Sequence, residues 1–229
     1  MIIRVGILQK KNNMKSDEFY NYWLHTHGPL VKNIPGIKRY EQNHVVDREQ
    51  RGIEFPRSEK QIDGFSQLWF ESEEQMNEAF DNEALELLKE DEKKFIQEVP
   101  IIVVRQNQVV EPPKETDHLL KRMTLIKRRQ DISVEQFLHE WENVHGELVK
   151  TMPGVIGYTQ NILIDRVIKG RETTYDDIPF DGLVEFWFES KESIERAFYS
   201  PEGQKTMKHS ESFLEEITTF LVQNHTIIK

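Results

Sequence analysis

One segment of this chain occurs twice, and the repeat limits the folds that the chain can adopt. Residues 19–48 match residues 137–166 without a gap at an offset of 118 residues, and fourteen of the thirty positions are identical. A repeat of this length indicates two copies of a whole domain rather than a solenoid, whose periods run about 20–50 residues. We therefore predict unit one over 1–107 and unit two over 119–229, joined by a charged, proline-containing linker over 108–118.

Composition narrows the class of partner. The net charge is −10, and residues 1–112 and 113–229 carry equal numbers of acidic residues. A nucleic-acid or anionic-membrane partner would instead require a basic surface. The chain has no cysteine, which excludes disulfides, thiolate catalysis and cysteine-bound metals. It also contains no apolar run typical of a signal peptide or a membrane span. These features predict a cytoplasmic protein with neither a nucleic-acid nor a membrane partner.

The order of predicted elements is the same in both units. In unit one, β-branched and aromatic runs predict strands over 2–9, 37–46, 65–70 and 96–104, with helices beginning at Ser16 or Asp17 and spanning 73–80 and 85–94. In unit two, the strands are predicted over 120–128, 155–165, 182–188 and 214–225, with helices over 134–143, 191–198 and 202–212. The order βαββαβ is typical of the ferredoxin-like fold, in which both helices cover one face of an antiparallel sheet.

The sheet face opposite the helices also carries apolar residues and must be covered. Two tandem sheets can cover each other. We therefore predict an α+β fold in which two ferredoxin-like units form an intramolecular dimeric α+β barrel with pseudo-twofold symmetry. Alternation places one of Trp69 and Phe70 inside the barrel and the other under the helices, and it leaves open which.

The repeated residues resemble the EthD domain, a family of the dimeric α+β barrel superfamily. The resemblance rests on Phe19-x3-Trp23-x3-His27-Gly28-Pro29-Leu30-Val31, Pro35-Gly36-x3-Tyr40-x-Gln42-Asn43, Asp63-Gly64 and Trp69-Phe70, and on the matching residues of unit two. Unit two departs from the pattern at Glu147, where the family has proline. This difference is expected to alter the helix break that His-Gly-Pro predicts and to weaken the second site.

The resemblance implies a small-molecule ligand. EthD-like proteins include a component of oxidative ether degradation, and enzymes that isomerise lactones or dehydrate and cyclise polyketide-like compounds without metal or flavin. The resemblance further implies that a histidine and a tyrosine lie at the pocket, here His27 with Tyr40 and His145 with Tyr158. Family association favours an oxidoreductase-pathway role or a lyase or isomerase activity, but many members have no known activity.

His27 and His145 are the candidate acid–base residues. An imidazole can accept or donate a proton near neutral pH, and in both units it is followed by a glycine at the predicted helix break. The alternative is a structural histidine that bonds a backbone carbonyl and holds the break. His25 and His44 have no histidine counterpart in unit two and are predicted to lie at the surface.

Tyr40 and Tyr158 could donate a hydrogen bond to a carbonyl or enolate oxygen of the ligand. Alternation along the strand places Gln42 and Gln160 on the same face as these tyrosines, where they would line the same cavity. The alternative is that each tyrosine is a core residue.

Four further residues are candidates for substrate contact. Trp69 and Trp187 lie at equivalent positions on the third strand of their units. Arg48 and Arg166 either form a strand-end ion pair with the preceding aspartate or hold a substrate carboxylate.

The chain has no phosphate-binding loop, dinucleotide-binding motif or metal-ligand spacing, so neither a metal nor a cofactor is predicted. Haem is the alternative cofactor, because related barrels bind it through a single histidine. The first hypothesis is cofactor-free acid–base chemistry on an apolar oxygenated ligand such as a lactone, quinone or polyketide-like ring. The alternatives are a non-catalytic ligand-binding or stress protein and a haem-binding monooxygenase-like barrel. Association of the pseudo-dimer into a further homodimer is left open.

Overall fold

The computed structural model of the chain describes residues 1–80, 85–168 and 171–229. The strands of unit one are β1 (Ile2–Lys10), β2 (Arg39–Asp47), β3 (Gly64–Phe70), β4 (Ile96–Glu98) and β5 (Ile101–Val110), and its α-helices are α1 (Ser16–Tyr22), α2 (Gly28–Val31), α3 (Glu73–Phe80) and α4 (Leu85–Phe95). The strands of unit two are β6 (Leu120–Arg128), β7 (Gly157–Val167), β8 (Gly182–Phe188) and β9 (Leu214–Ile228), and its α-helices are α5 (Val134–His139), α6 (Gly146–Lys150), α7 (Lys191–Tyr199) and α8 (Pro201–Ser210).

The fourth predicted strand of unit one is divided in two. A break at Val99 and Pro100 separates β4 from β5, because proline lacks the N–H that a sheet ladder needs. Strand β5 then runs further than predicted, to Val110, where it pairs with Tyr158 of β7. The segment between the units that has neither strand nor helix is therefore 111–119.

The strands close into one barrel, which confirms the predicted fold. Their order is β3-β2-β9-β6-β8-β7-β5-β1, and β1 pairs again with β3 to complete the ring. The β2–β9 and β5–β7 pairings each join unit one to unit two. Closure leaves no free edge on these eight strands, and each sheet covers the other as the apolar faces require.

The barrel interior holds Trp69, whereas Phe70 lies under the helices. Trp69 packs in a cluster with Ile3, Val5 and Phe65, residues that alternate along the inner face of their strands. Phe70 packs instead in the outer cluster that contains residues of α3 and α4. The same alternation places Trp187 inside and Phe188 under the helices of unit two.

The interior also contains a buried ionic cluster that joins the two units. The Lys121 Nζ of unit two lies 2.7 Å from a carboxylate oxygen of Glu185 and 3.4 Å from one of Glu41, which belongs to unit one. Gln67 Nε2 donates to Glu185 at 2.7 Å. Charges removed from water in this way need close partners, and here they find them across the interface of the units.

A glycine at the start of β3 lets the helical segment that follows α1 pack close to the sheet. A Cβ on Gly64 would come within 2.4 Å of the Trp23 ring, and one on Gly182 within 2.3 Å of the Trp141 ring. Both indoles are buried there. The repeated Asp-Gly pair thus keeps room for the repeated tryptophan.

The loop that follows β2 in unit one packs on unit two. Its Ile53 is 8% exposed and belongs to the core of unit two, and Gln50 Nε2 donates to the Ile217 carbonyl at 2.8 Å. In return, Ile168 of unit two reaches the cavity of unit one described below. No helix in the described parts of the chain is both long and apolar enough to cross a membrane.

Candidate functional site

The helix that carries His27 does not break, so that prediction was wrong. A π-helical turn, Trp23–His27, joins α1 to α2 with helical backbone angles throughout. The N–H of Gly28 donates to the Trp23 carbonyl, five residues back. Unit two has the same turn, in which Gly146 donates to Trp141 although Glu147 replaces the proline. The expected effect of Glu147 on the helix is therefore absent.

A glutamine from the sheet supports the π-helical turn in both units. Gln42 Nε2 donates to the Trp23 carbonyl at 2.9 Å, and Gln160 Nε2 donates to the Trp141 carbonyl at 2.6 Å. Gly28 leaves space for this contact, since a Cβ there would lie 2.9 Å from Gln42 Nε2. The repeated glycine and glutamine together shape the turn that presents the histidine.

Tyr40 belongs to the same hydrogen-bond network. Its hydroxyl accepts from Trp23 Nε1 at 3.2 Å and from Gln42 Nε2 at 2.9 Å, so Tyr40 and Gln42 do share a face. The side chain has no exposed surface and is not part of the cavity lining in unit one. Burial raises the pKa of Tyr40, like that of Tyr158, to about 12. Tyr40 therefore stays protonated and contacts the turn rather than the cavity.

His27 forms a buried pair with a carboxylate. Its Nδ1 lies 2.9 Å from Asp91 Oδ2 on α4, and the Tyr22 hydroxyl donates to Asp91 Oδ1 at 2.6 Å. Burial opposes the charge of Asp91, but hydrogen bonds from Tyr22, His27 and Lys94 outweigh it and lower the pKa of Asp91 below its ordinary value. Asp91 is thus ionised at neutral pH.

The Asp91 carboxylate fixes the tautomer of neutral His27. An ionised carboxylate only accepts hydrogen bonds, so the His27 Nδ1 beside it must carry the proton. The lone pair of neutral imidazole then lies on Nε2, which has no hydrogen-bond partner among the described residues. A histidine held in this way can accept a proton from a ligand.

His27 lines a cavity of about 440 Å³ between the sheet and α4. Its floor contains Arg4, Ser66 and Leu68, and its wall includes Val31, Ile34 and Leu88. Arg4 and Leu68 are paired across β1 and β3, and Ser66 is paired with Gly6 two residues along. The volume lies in the range of small-molecule sites. The lining combines apolar side chains with polar and charged ones, which include Glu92 and Glu98.

The equivalent histidine of unit two has different neighbours. Position 91 corresponds to His209 and position 22 to Glu140 at the repeat offset. His145 Nδ1 lies 3.4 Å from His209 Nδ1, and His209 Nε2 lies 3.0 Å from Glu140 Oε2. Burial, with His209 close by, lowers the pKa of His145 to about 3. His145 is therefore a much weaker base than an ordinary histidine.

Unit two also lacks the space. The cavity beside His145 measures only about 40 Å³, and larger side chains occupy the positions that form the floor in unit one. Val184 and Phe186 stand where unit one has Ser66 and Leu68, and Thr124, which lines the small cavity, stands where unit one has Gly6. Among the described residues, the histidine of unit one therefore borders a cavity large enough for a ligand, and the histidine of unit two does not.

The remaining predicted residues lie away from the cavity. Arg48 donates to Asp63 at 2.7 Å, and Arg166 donates to the Phe180 carbonyl at 2.6 Å and pairs with Asp181. The predicted ion pair between Arg48 and the preceding aspartate is wrong, because Asp47 pairs with Arg51 and Lys191. Trp69 and Trp187 are inside the barrel.

His44 is not at the surface, which corrects another prediction. It is 3% exposed, and its ring stacks on Trp23 and Tyr20. Burial, and second the nearby His225, lower the pKa of His44 to about 3. His25 is exposed, as predicted.

Sequence reasoning missed Asp91, Ser66 and Arg4. A signal for Asp91 did exist, since Asp91 and His209 each follow the repeated histidine by 64 residues and both can titrate. The repeat does not mark this position, because unit one has aspartate there and unit two has histidine. In the described parts of the chain, no three His, Asp or Glu side chains come together as a metal site.

Comparison with known proteins agrees with this architecture. The model of the EthD domain matches the chain twice, over residues 11–98 and 129–216. No curated protein matches the chain. The structure of an anthrone oxidase-like protein superposes with a TM-score of 0.66 at 10% identity, over 100% of this chain and 94% of that one.

Two further solved structures share the fold. A candidate monooxygenase from Lactobacillus acidophilus NCFM superposes with a TM-score of 0.58 at 12% identity, over 98% of this chain and 94% of its own. A dye-decolorizing peroxidase from Bacteroides thetaiotaomicron VPI-5482 gives 0.50 at 9% identity, over 96% and 92%. At these identities the likeness concerns the fold alone.

Proposed function

Because the chain belongs to the EthD domain family, with both units matched, we propose that it is a cofactor-free acid–base enzyme with one working site, in unit one. His27 removes a proton from an apolar oxygenated ring bound in the 440 Å³ cavity. The observation that carries the proposal is the His27–Asp91 pair at 2.9 Å, which leaves the His27 Nε2 as the basic atom.

Asp91 is a positioning residue in this proposal. It holds the imidazole in the tautomer that accepts a proton at Nε2 and stabilises the imidazolium that forms. Tyr40 and Gln42 act one step further away, since they support the π-helical turn that carries His27. Ser66 lines the cavity, and its side chain also interacts with the Tyr40 hydroxyl. In this proposal Ser66 takes the place predicted for Tyr40 as hydrogen-bond donor to the ligand oxygen.

Proton abstraction can be tested without knowing the complete reaction. Deuterium incorporation into carbon acids such as anthrone, a tetralone and an unsaturated lactone is followed by NMR in D₂O. The wild-type protein is expected to accelerate exchange in at least one of them. His27→Gln should lower that acceleration by about 10²-fold or more, the usual effect of losing a general base.

His145→Gln is the matched control. It removes the equivalent histidine from the unit whose cavity measures about 40 Å³, so exchange should continue at close to the wild-type rate. Undiminished exchange in His27→Gln would remove His27 from the mechanism. Binding of these compounds with no exchange at all would favour the alternative of a ligand-binding protein.

Haem is the second candidate, and one observation favours it. Iron-ligating histidines generally donate their other ring N–H to a carboxylate or carbonyl. Asp91 accepts such a hydrogen bond from the His27 Nδ1–H. The donor set therefore fits, with His27 as the residue that would hold the iron. Bound haem would supply redox chemistry. A Soret band on addition of haemin, lost in His27→Ala but kept in His145→Ala, would establish this alternative, and no Soret band would exclude it.

A further inference from the structure

Arg4 presents its cation to the cavity of unit one. It lies on β1 between Leu68 of β3 and Val103 of β5 in the strand register, on the outer face of the barrel where the cavity has its floor. Its guanidinium carbon is 4.0 Å from the centroid of the Phe80 ring. Stacking of this kind engages the flat face of the guanidinium and leaves the N–H groups at its edge free.

The donors of Arg4 have no acceptor among the described residues. The equivalent arginine of unit two, Arg122, donates to the Gln50 carbonyl at 2.7 Å and to the Arg51 carbonyl at 3.1 Å. Arg122 is 1% exposed and closed off from solvent, whereas Arg4 is only partly buried. In unit two, backbone carbonyls therefore accept the hydrogen bonds of the buried arginine. Arg4 lacks such acceptors.

The other cations at the cavity are already neutralised. Lys89 and Lys93, on the rim, form ion pairs with Glu86 and Glu90. Glu92 acts on Arg4 electrostatically, but within the described ranges no carboxylate lies close enough to form an ion pair with it. Arg4 therefore remains the cavity cation with donors available for a ligand.

We propose that Arg4 binds an acidic oxygen group of the ligand, a carboxylate or a phenolate, so that the ligand class is an apolar ring that carries an anionic oxygen. Arginine donates two parallel hydrogen bonds to a carboxylate. This gives Arg4 the role that the sequence suggested for Arg48 and Arg166, which are engaged by Asp63 and Asp181 instead. The assignment concerns the same cavity as the proposed function and rests on it for the location of the ligand.

The test compares ligands that differ only in charge. Isothermal titration calorimetry on the full chain at neutral pH measures the affinity for 1-naphthoate and 2-naphthoate and for the two corresponding naphthamides. The wild-type protein is expected to prefer at least one naphthoate to its amide by about tenfold or more, the effect of a hydrogen bond to a charged group. Arg4→Gln should abolish the preference and leave the affinity for the amide unchanged.

Arg196→Gln is the matched control, because it makes the same change of net charge on the exposed face of α7. It should keep the preference. A wild-type protein without preference, or a preference that survives in Arg4→Gln, would overturn the assignment. Failure of the exchange experiment with the preference intact would remove the proposed acid–base function but leave the assignment of Arg4 standing.

Discussion

His27 and His145 occupy the same place in their units, yet their neighbours give them different chemistry. His27 faces an ionised carboxylate through Nδ1, whereas His145 faces the ring of another histidine. A carboxylate stabilises the imidazolium that forms during proton abstraction, and a second imidazole does not. The identity of position 91 and its counterpart 209 thus decides which histidine can act as a base.

We therefore expect Asp91→Asn to lower kcat for proton abstraction by about 10²-fold or more with little change in KM. The amide neither fixes the tautomer of His27 nor stabilises its imidazolium, but it occupies the same volume. Steady-state kinetics on a carbon acid found in the exchange experiment measures both constants. A rise in KM with kcat unchanged would show that Asp91 serves binding instead. His209→Asn, at the equivalent position, should change neither constant.

Burial of His44 makes stability depend on pH. The pKa of His44 is about 3 in the folded protein and about 6.5 in an unfolded chain. Between these values the unfolded state binds a proton that the folded state does not, so stability falls as pH decreases below about 6.5, by about 1.4 kcal/mol per pH unit for this residue.

His44→Ile should flatten that dependence, and isoleucine is the residue that unit two carries at the equivalent position, 162. Urea unfolding at several pH values between 7 and 4.5 measures the slope. In the variant, the free energy of unfolding should fall less steeply with decreasing pH, by the contribution of one bound proton. This holds whatever the stability of the variant at pH 7. An unchanged slope would mean that His44 does not remain neutral in the folded protein.

At the scale of elements, the π-helical turn explains why several repeated residues occur together. Tryptophan supplies the carbonyl and the indole donor, glutamine bonds that carbonyl, and tyrosine accepts from both side chains. Each turn then ends at the histidine. The repeated residues thus act together to place one ring, and unit two has them although the cavity beside its histidine measures only about 40 Å³.

The two glycines that follow the histidines should respond differently to alanine. At Gly28 a Cβ would lie 2.9 Å from Gln42 Nε2 and 3.3 Å from the Trp23 carbonyl, whereas at Gly146 the nearest atom is 3.5 Å away. Gly28→Ala should therefore destabilise the protein by about 1–2 kcal/mol, because Gln42 must leave its partners. Gly146→Ala should be neutral or stabilise it by up to about 1 kcal/mol. Urea unfolding compares the two, and equal effects would contradict the role given to Gln42.

The repeat and the alternation of apolar residues were enough to predict the barrel, but the site could be predicted only in part. The sequence identifies His27 because the histidine is repeated. Asp91 escapes notice because unit two has histidine there, and contact across 64 residues depends on how α4 packs. Tyr40 was placed at the pocket by family resemblance, although its hydroxyl is directed to Trp23 and Gln42. Which face of a strand borders a cavity depends on side-chain volumes on neighbouring strands, and pattern alone does not contain them.

At the scale of the whole molecule, the buried cluster of Lys121 with Glu41 and Glu185 joins the two units. The other unit has uncharged residues at the equivalent positions: Ile3 for Lys121, Thr159 for Glu41 and Gln67 for Glu185. Lys121→Ile alone should destabilise the protein by about 3–5 kcal/mol, because it leaves Glu185 buried without its cation and leaves Glu41 with Arg39 alone.

The triple variant with Glu41→Thr and Glu185→Gln added should recover most of that loss, since it replaces the ionic cluster with the residues that the other unit uses at the same positions. Chemical denaturation of the single and triple variants measures the difference. A triple variant no more stable than Lys121→Ile would show that the charges are not coupled in the way their distances indicate.

The unequal cavities have a consequence for how such a protein can diverge. In a dimer of identical chains, every substitution appears at both sites, so a residue that fills one cavity closes the other as well. Joining the copies on a single chain removes that coupling: Val184 and Phe186 narrow the cavity of one half, while Ser66 and Leu68 line the larger cavity of the other. One half is then free to change with its ligand, and the other preserves the barrel on which both depend.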